Sequence, residues 1–283
     1  MHLQATATRA ATLLARNPAL FCRVMLAKLN STRPMQTLPA RKFIGKIVFE
    51  YDLAGYRGTA PMYFGSYSLL VVNAMRRMLR PGDIFVDVGA NIGYLSAVAA
   101  DLVGPTGQVH AFEPVPEYFE KLRRLAAINI QYSIQPNACA AGEEAGAQQI
   151  YVAREPGQST LVPSYKSAAE IAASRTVPVV RLDAYFAERK IARVNLIKID
   201  AEGFELPILQ GTRRYLETQQ HRPAIICEIA PRAYPLMKRS VSELRDFMES
   251  CGYTARDLAD GKTPVDITAL QHVEDVLFVA EES

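Results

Sequence analysis

The chain has 283 residues, of which 49% are hydrophobic, and a net charge of +3. This composition predicts one large folded core with smaller additions, and no apolar run approaches the roughly 20 residues that span a bilayer. The four cysteines follow neither a metal-ligand nor a disulfide spacing. We therefore expect a reducing, cytoplasmic setting, no bound metal, and neither secretion nor a transmembrane segment.

The N-terminal part of the chain is basic. Residues 1–49 contain eight Lys or Arg and no Asp or Glu, so the rest of the chain carries 3 − 8 = −5. Asn17 and Pro18 are typical of a helix start, and apolar residues at helical spacing follow as far as Leu29. We predict a helical or extended arm at residues 1–61 that packs on the core or on a second subunit; contact with a membrane surface and a cleaved targeting peptide are the alternatives. Nucleic acid is not an expected partner, because the chain has no Trp, no recognisable reading motif and an acidic body.

A β-α-β unit follows the arm. The run at residues 83–88 is rich in β-branched and aromatic residues and predicts a strand that carries Asp87 near its end. A glycine-bearing turn from Gly89 to Gly93 leads into a helix, and a second strand at residues 108–113 comes after it. The pattern is typical of a nucleotide-binding α/β fold.

The turn is suited to an adenosine-containing cofactor. Gly89 and Gly93 allow close backbone approach, amides at the start of the next helix can hold a carboxylate, and Glu113 can accept hydrogen bonds from both ribose hydroxyls. A nicotinamide-binding fold offers a similar acidic residue, but its G-x-G-x-x-G fingerprint has a glycine where this chain has Asn91. Without that glycine the backbone cannot come as close to the pyrophosphate of a dinucleotide, so a dinucleotide is the weaker prediction.

The next segments predict a helix at residues 117–130 and a third strand at 132–136, which ends beside Asn137 and Ala138. Residues 141–193 are too many for a plain connection. Two extended stretches flank a polar one there, which predicts a hairpin-like insertion lying over the site.

A fourth strand at residues 194–200 carries two charges in an otherwise apolar run, and such charges are costly unless they are paired or exposed. Because side chains alternate, Lys198 and Asp200 share a face, and Glu228 in the apolar run 224–229 can lie within reach. One interpretation is an ion pair of Lys198 with Asp200 or Glu228. The other places Asp200 at the carboxyl end of the strand, where ligands bind in open α/β sheets.

The C-terminal segment completes the predicted sheet. Ser240, with Glu243 three residues later, predicts a capped helix that ends at Gly252. Two closing strands are predicted at 253–258 and 276–280, which brings the number of strands to seven.

Three sequence blocks resemble one enzyme family. They are Gly89-Ala90-Asn91-Ile92-Gly93-Tyr94, Phe112-Glu113-Pro114, and the run from Leu196 to Glu205, which follows a K-x-D-x-E-G-x-E pattern. The chain thereby resembles class I S-adenosylmethionine-dependent methyltransferases of the FkbM family over roughly residues 62–230. Family members often carry a glutamate where this chain has Ser68, so a contact from that glutamate is not expected.

The resemblance implies an α/β, Rossmann-like class I methyltransferase fold. In that fold a seven-stranded, mostly parallel sheet has helices on both faces, and the last strand inserts antiparallel between its predecessors. Residues 62–283 are then the catalytic domain, preceded by the N-terminal extension.

The resemblance also implies S-adenosyl-L-methionine as the cofactor. The residues assigned to its binding are Asp87, Gly89, Ala90, Asn91, Gly93, Glu113, Asn137 and Ala138. Asn137 and the amide of Ala138 are expected to face the adenine. For Asn137 an Asx turn that closes the third strand is the alternative.

The residues assigned to catalysis are Asp200, Glu202 and Lys198. Methyl transfer to an alcohol requires proton removal or tight alignment of the attacking oxygen. Asp200 is the first candidate for the base, and Glu202 orients the acceptor or shares the proton. Lys198 serves instead if burial depresses its pKa. A metal held by Asp200, Glu202 and Glu228 is the weaker alternative, and Glu205 is interpreted as a helix-start residue.

The expected function is S-adenosylmethionine-dependent O-methyl transfer to a hydroxyl of a sugar, a glycan or a polyhydroxylated small metabolite. Transfer to nitrogen and assembly into a homo-oligomer stay open. The alternative from another class is a catalytically inactive, cofactor-binding scaffold that docks a partner through its basic arm. A nicotinamide oxidoreductase is the third hypothesis.

Overall fold

The computed structural model describes residues 41–51, 62–63, 65 and 67–281. It divides into two compact units, residues 1–42 with 50–70 and residues 43–49 with 71–283. Within the first unit, Tyr51 packs edge-on against Tyr63 with ring centroids 4.9 Å apart. The predicted N-terminal helix and the predicted domain boundary at residue 61 lie outside the described residues.

The chain begins its described part with a short β-hairpin and continues into the predicted β-α-β unit. The elements are β1 (Arg41–Ile44), β2 (Ile47–Glu50), α1 (Leu69–Met78), β3 (Ile84–Val88), α2 (Tyr94–Val103), β4 (Gln108–Phe112), α3 (Pro116–Ile128) and β5 (Ser133–Asn137). Helix α3 starts on Pro116, whose missing N–H costs nothing in the first turn. The predicted strands and helices of this region are confirmed to within a few residues.

The second half of the chain begins with the predicted insertion and continues into the remaining strands of the central sheet. Its elements are β6 (Ala140–Ala141), β7 (Gly146–Ala153), β8 (Ile171–Val180), α4 (Leu182–Glu188), β9 (Leu196–Ile199), α5 (Glu205–Gln210), α6 (Arg213–Thr218), β10 (Ala224–Ile229), α7 (Val241–Ser250), β11 (Tyr253–Asp257) and β12 (Glu274–Ala280). A 3₁₀ helix, Pro231–Met237, follows β10. The predicted cap of α7 is confirmed, because the hydroxyl of Ser240 accepts a hydrogen bond from the amide of Glu243.

Seven strands form the central sheet in the order β11-β12-β10-β9-β3-β4-β5. Strands β5, β4, β3, β9 and β10 pair in parallel, and β12 runs antiparallel between β10 and β11. All four residues of β9 are buried, as expected for a parallel strand covered on both faces. This arrangement is the predicted class I methyltransferase fold, including the antiparallel last strand.

The inserted segment forms a separate three-stranded sheet in the order β6-β8-β7. Strands β7 and β8 pair antiparallel, and their apolar side chains join the main core. The turn between α5 and α6 contacts the chain on either side of this small sheet, just after β6 and just after β8. A Cβ on Gly211 would lie 1.9 Å from the carbonyl oxygen of Gly142, and the carbonyl of Gly211 accepts a hydrogen bond of 3.1 Å from the amide of Asp183.

In the part of the chain that the structure describes, no helix is both long and apolar enough to cross a membrane.

Candidate functional site

Two loops meet at the carboxyl edge of the central sheet. The first follows β3 and the second follows β9, which are neighbouring strands. Gly89 has a φ of +79°, and a Cβ there would lie 1.8 Å from the carbonyl oxygen of Asp200. The amide of Asp200 in turn donates to the carbonyl of Val88 at 3.0 Å. Only glycine therefore permits the backbone contact that joins the two loops.

Hydrogen bonds hold the first loop on the end of β4. The amides of Gly89 and Ala90 both donate to the carbonyl of Phe112, at 3.0 and 2.9 Å. Asn91 lies in the left-handed region with a φ of +53°, and its side chain accepts a bond of 2.7 Å from the amide of Ile92. Asparagine tolerates this conformation better than most residues. The loop passes through Gly93 into α2, so the predicted residues of the turn shape one rigid connection.

Glu113 lies at the centre of this loop network. Its carboxylate accepts a bond of 2.7 Å from the amide of Val115 on Oε1 and one of 2.8 Å from the amide of Asn91 on Oε2. Burial, with only 5% of the residue exposed, raises the pKa of Glu113 to about 7. A carboxylate oxygen accepts two hydrogen bonds, so each oxygen keeps one position for a further donor. Two neighbouring hydroxyls of a ribose fit this arrangement.

Asp87, which was assigned to the cofactor site from the sequence, has a buried side chain, and its role towards the cofactor stays a prediction. Its side chain is 1% exposed and accepts a bond of 2.6 Å from the hydroxyl of Ser96 on α2. Burial raises the pKa of Asp87 to about 6. Asp87 thus fixes α2 beneath the loop rather than presenting a group at its surface.

The structure favours the local alternative for Asn137. Its amide nitrogen donates to the carbonyls of Ala111 and Gln135, at 3.2 and 2.9 Å, so the side chain stabilises the end of β5. Its own carbonyl accepts a bond of 3.0 Å from the amide of Glu113. Ala138 is exposed at the same strand end. A role of Ala138 towards an adenine stays a prediction.

Lys198 is a buried cation, and the depressed pKa on which its predicted role as a base depends is not found. Its side chain is 2% exposed, and its Nζ lies 3.2 Å from Oδ1 of Asp275 and 3.7 Å from Oδ2 of Asp200. Burial alone would lower the pKa of Lys198, but the carboxylates of Asp200, Asp275 and Glu228 outweigh burial and raise it well above its usual range. The predicted ion pair with Asp200 is confirmed. Asp275 is a second partner that the sequence interpretation missed.

Glu202 is held by residues of the inserted segment, which the sequence interpretation also missed. The hydroxyl of Thr160 donates to the carbonyl of Glu202 at 2.8 Å, and Nζ of Lys166 lies 3.2 Å from its carboxylate. Glu202 has a φ of +49°, a conformation that costs a non-glycine residue about 1–3 kcal/mol and persists where the surroundings enforce it. Burial raises the pKa of this carboxyl. The insertion therefore contacts the site directly.

Glu205 starts α5, as predicted, and its carboxylate is completely buried. It accepts a bond of 2.6 Å from the amide of Gly203 and one of 3.2 Å from the hydroxyl of Tyr234. Burial raises the pKa of Glu205 to about 7. These hydrogen bonds show that Glu205 stabilises the loop between β9 and α5.

Among the described residues, no three His, Cys, Asp or Glu side chains are grouped so that they can hold a metal ion.

Comparison with known proteins identifies the family. The sequence model of the methyltransferase FkbM domain matches residues 87–255, which is more than half of the chain. The chain belongs to the FkbM methyltransferase family. Its cofactor is accordingly S-adenosylmethionine, as predicted. The nicotinamide oxidoreductase hypothesis is thereby wrong.

The chain is also similar to individual curated proteins and solved structures. The chain is 33% identical over 162 residues to the 31-O-demethyl-FK506 methyltransferase FkbM of Streptomyces tacrolimicus, a match that covers 47% of this chain and 60% of that protein. It is 23% identical to the hexuronic acid methyltransferase AglP of Haloferax volcanii, with 74% of each chain covered. A crystal structure of a methyltransferase FkbM from Methylobacillus flagellatus superposes with a TM-score of 0.42 at 17% identity and covers 95% of this chain and 60% of that one. The chain spans about 60% of the length of the first curated relatives it matches.

The candidate site of this chain has groups that fit S-adenosylmethionine. Glu113 offers a buried carboxylate with an acceptor position on each oxygen, which suits the ribose diol. The start of α2, directly after Gly93, provides the helix N-terminus at which backbone amides favour a carboxylate. Both lie on the loop that Gly89 brings against Asp200. The residues that would hold S-adenosylmethionine and the first catalytic candidate therefore lie at one edge of the sheet.

Proposed function

We propose that this protein is an S-adenosylmethionine-dependent O-methyltransferase that acts on a hydroxyl of a sugar, a glycan or a polyhydroxylated small metabolite. The observation that carries the proposal is the position of Asp200. Its carboxylate lies at the carboxyl end of β9, its side chain is 29% exposed, and its backbone contacts the loop of Gly89. A base in this position is open to an acceptor and adjacent to the cofactor loop.

When bound, S-adenosylmethionine supplies a methyl group on a sulfonium sulfur. The protein then needs to hold the acceptor oxygen in line with that group and to take up the hydroxyl proton. Asp200 accepts the proton, with Lys198 as its counter-charge. Glu202 orients the acceptor, since Thr160 and Lys166 fix its backbone and its carboxylate.

The class of acceptor follows from the groups around the site. Carboxylate oxygens accept hydrogen bonds, so Asp200 and Glu202 suit a molecule that offers several hydroxyl donors. Two relatives support this class through their names, which describe a 31-O-demethyl-FK506 methyltransferase and a hexuronic acid methyltransferase. A hydroxylated small molecule or a sugar is therefore the substrate class to test first.

The first experiment is calorimetric titration of the purified protein with S-adenosylmethionine, S-adenosylhomocysteine and NAD. We expect dissociation constants of the order of micromolar for the two sulfur compounds and no binding of NAD. A screen of sugars, uronic acids and hydroxylated macrolides then follows, with S-adenosylhomocysteine release as the signal and NMR of the product to locate the new methyl group. Methyl transfer only to amines would contradict the proposed O-methylation.

Asp200→Asn tests the assigned base. This variant keeps the size and polarity of the side chain, so cofactor affinity should stay within about twofold while turnover falls on the order of 100-fold or more. Full turnover would transfer the role to another residue. Cofactor binding without transfer to any acceptor, in the wild type as well, would favour the scaffold alternative.

A further inference from the structure

Three carboxyl groups form a row beside Lys198 at the edge of the sheet. In the parallel pair of β9 and β10, Ile199 is opposite Cys227, so the next residues in register are Asp200 and Glu228. In the antiparallel pair of β10 and β12, Glu228 is directly opposite Asp275. Residues in register on neighbouring strands point to the same face. The register therefore places Asp200, Glu228 and Asp275 side by side.

The charges of this row do not balance if all its members are ionised. Lys198 contacts Asp200 and Asp275, whose side chains are 29% and 27% exposed, and these two carboxylates share its single positive charge. Glu228 makes no ion pair with Lys198 among those found in the described residues, and the strand register places it between Asp200 and Asp275. Carboxyl groups that share a site repel one another when all are ionised, and a proton on one of them relieves the repulsion. Glu228, which has no cation as a partner in the part of the chain that the structure describes, is the member of the row to which that proton is assigned.

We propose that Glu228 is a positioning residue that keeps its proton at neutral pH and donates it in a hydrogen bond to one oxygen of Asp200. The other oxygen of Asp200 then faces the acceptor hydroxyl in a fixed orientation. The identity of Glu228 as the proton holder rests on the structure alone, and its effect on catalysis rests on the proposed function, in which Asp200 is the base.

The surroundings of Glu228 support this assignment. The charge of Asp200 and then burial raise the pKa of Glu228 well above its usual range, and Asp275 adds to the effect, whereas Lys198 opposes it. Two further titratable groups lie close to it: Tyr165 of the inserted segment, and Cys227, the preceding residue of β10, whose side chain points to the opposite face of the strand. Each is neutral at pH 7, since the pKa of Tyr165 is raised to about 12 and that of Cys227 lies well above its usual range. Neither supplies a charge that would ionise Glu228.

The test is a carboxyl ¹³C NMR titration of the full chain without cofactor or acceptor. The Glu228 resonance is assigned through bonds, so the assignment does not depend on whether any variant folds. We expect it to titrate above neutral pH, and we expect Asp200→Asn to lower its midpoint by at least about one pH unit, or tenfold in proton affinity. Glu117→Gln, which changes an exposed carboxylate paired with Arg175, is the control and should leave the midpoint unchanged.

Two results would overturn the inference. They are a Glu228 midpoint near the ordinary glutamate value of 4.5, and a midpoint that Asp200→Asn does not move. Either would leave the methyltransferase proposal intact, whereas absence of S-adenosylmethionine binding would remove that proposal and leave the titration unaffected.

Once an acceptor is known, the pH profile of turnover separates positioning from structure. In the wild type we expect turnover to fall at alkaline pH, when Glu228 loses its proton. Glu228→Gln keeps a hydrogen-bond donor that cannot ionise, so this variant should retain most of the turnover and should not show that fall. Glu228→Ala should lower kcat by a larger factor than the factor by which it changes KM. Equal losses in both variants with an unchanged pH profile would assign Glu228 a structural role only.

Discussion

Gly89→Ala is the sharpest test of how the two site loops fit together. Gly89 and Gly82 flank the same strand, β3, and have similar φ angles of +79° and +90°. An added Cβ has different neighbours at the two positions. At Gly82 its nearest neighbour is the hydroxyl of Thr106 at 3.9 Å, whereas at Gly89 it would lie 1.8 Å from the backbone oxygen of Asp200. Gly82→Ala is thus a matched control for the effect of the backbone angle alone.

The expected magnitudes follow from this difference. In both variants the left-handed conformation costs alanine about 1–2 kcal/mol. In Gly89→Ala the chain at Asp200 must also move by more than about 1 Å, which costs a further 1–3 kcal/mol or so, as overpacking does. A displacement of about 1 Å of a reacting group lowers turnover on the order of 100-fold. Gly89→Ala should therefore be less stable than Gly82→Ala and nearly inactive.

Urea unfolding measures the stabilities, and S-adenosylhomocysteine release with the acceptor found in the screen measures turnover. Gly82→Ala should keep its turnover within about twofold once the protein is folded, because that turn lies at the opposite end of β3. Equal stability and equal turnover of the two variants would refute the close contact between Gly89 and Asp200.

Three other predictions concern single side chains. Glu113→Gln should weaken S-adenosylmethionine binding about 10- to 100-fold in calorimetry, since a hydrogen bond to a charged acceptor is lost; Glu117→Gln on the adjoining helix should not. Lys166→Met should raise KM for the acceptor and lower turnover about tenfold with a small effect on unfolding, because it releases Glu202. Glu205 is an acid whose folded pKa is raised to about 7, so its contribution to stability is full below its unfolded pKa and is lost as pH rises to 7. Glu205→Gln should flatten that pH dependence by about 3 kcal/mol in urea unfolding.

Each of these expectations has a clear contrary result. Unchanged affinity in Glu113→Gln would remove that residue from the cofactor site. Unchanged kinetics in Lys166→Met would limit the inserted segment to a structural role. A pH dependence of unfolding that Glu205→Gln leaves as steep as in the wild type would assign the proton uptake to another buried acid.

The central strands were predictable because their signals are local. The runs that form β3, β9 and β10 combine β-branched residues with boundaries marked by glycine, proline or charged residues, and such runs need no information from distant parts of the chain. The order of the strands in the sheet could not be predicted from the sequences of the strands themselves. It came from the resemblance to a family, and the antiparallel position of β12 in particular has no signal in its own sequence.

The site was only partly predictable, and the contacts that were missed share a physical cause. Asp275 pairs with Lys198 because β12 inserts beside β10, a contact that neither residue's neighbours in sequence indicate. Asp87 was assigned to the cofactor because it ends a strand at the right edge, and alternation along a strand does not reveal that α2 covers its side chain. Lys166 lies in a loop without a motif, and only its ion pair with Glu202 identifies it.

The turn that contacts the chain just after β6 and just after β8 has a consequence for how this protein can be altered. Asp183 donates a backbone hydrogen bond to Gly211, and Gly142 lies against the same residue, whereas Thr160 and Lys166 lie in the stretch between β7 and β8. Val162 of that stretch is completely buried, and Thr160 exchanges backbone hydrogen bonds with Tyr151, so a change of sequence there has to keep these contacts. Under the proposed function, a change of acceptor is then to be sought in the exposed residues of this stretch, and the seven-stranded sheet beneath it is left as it is.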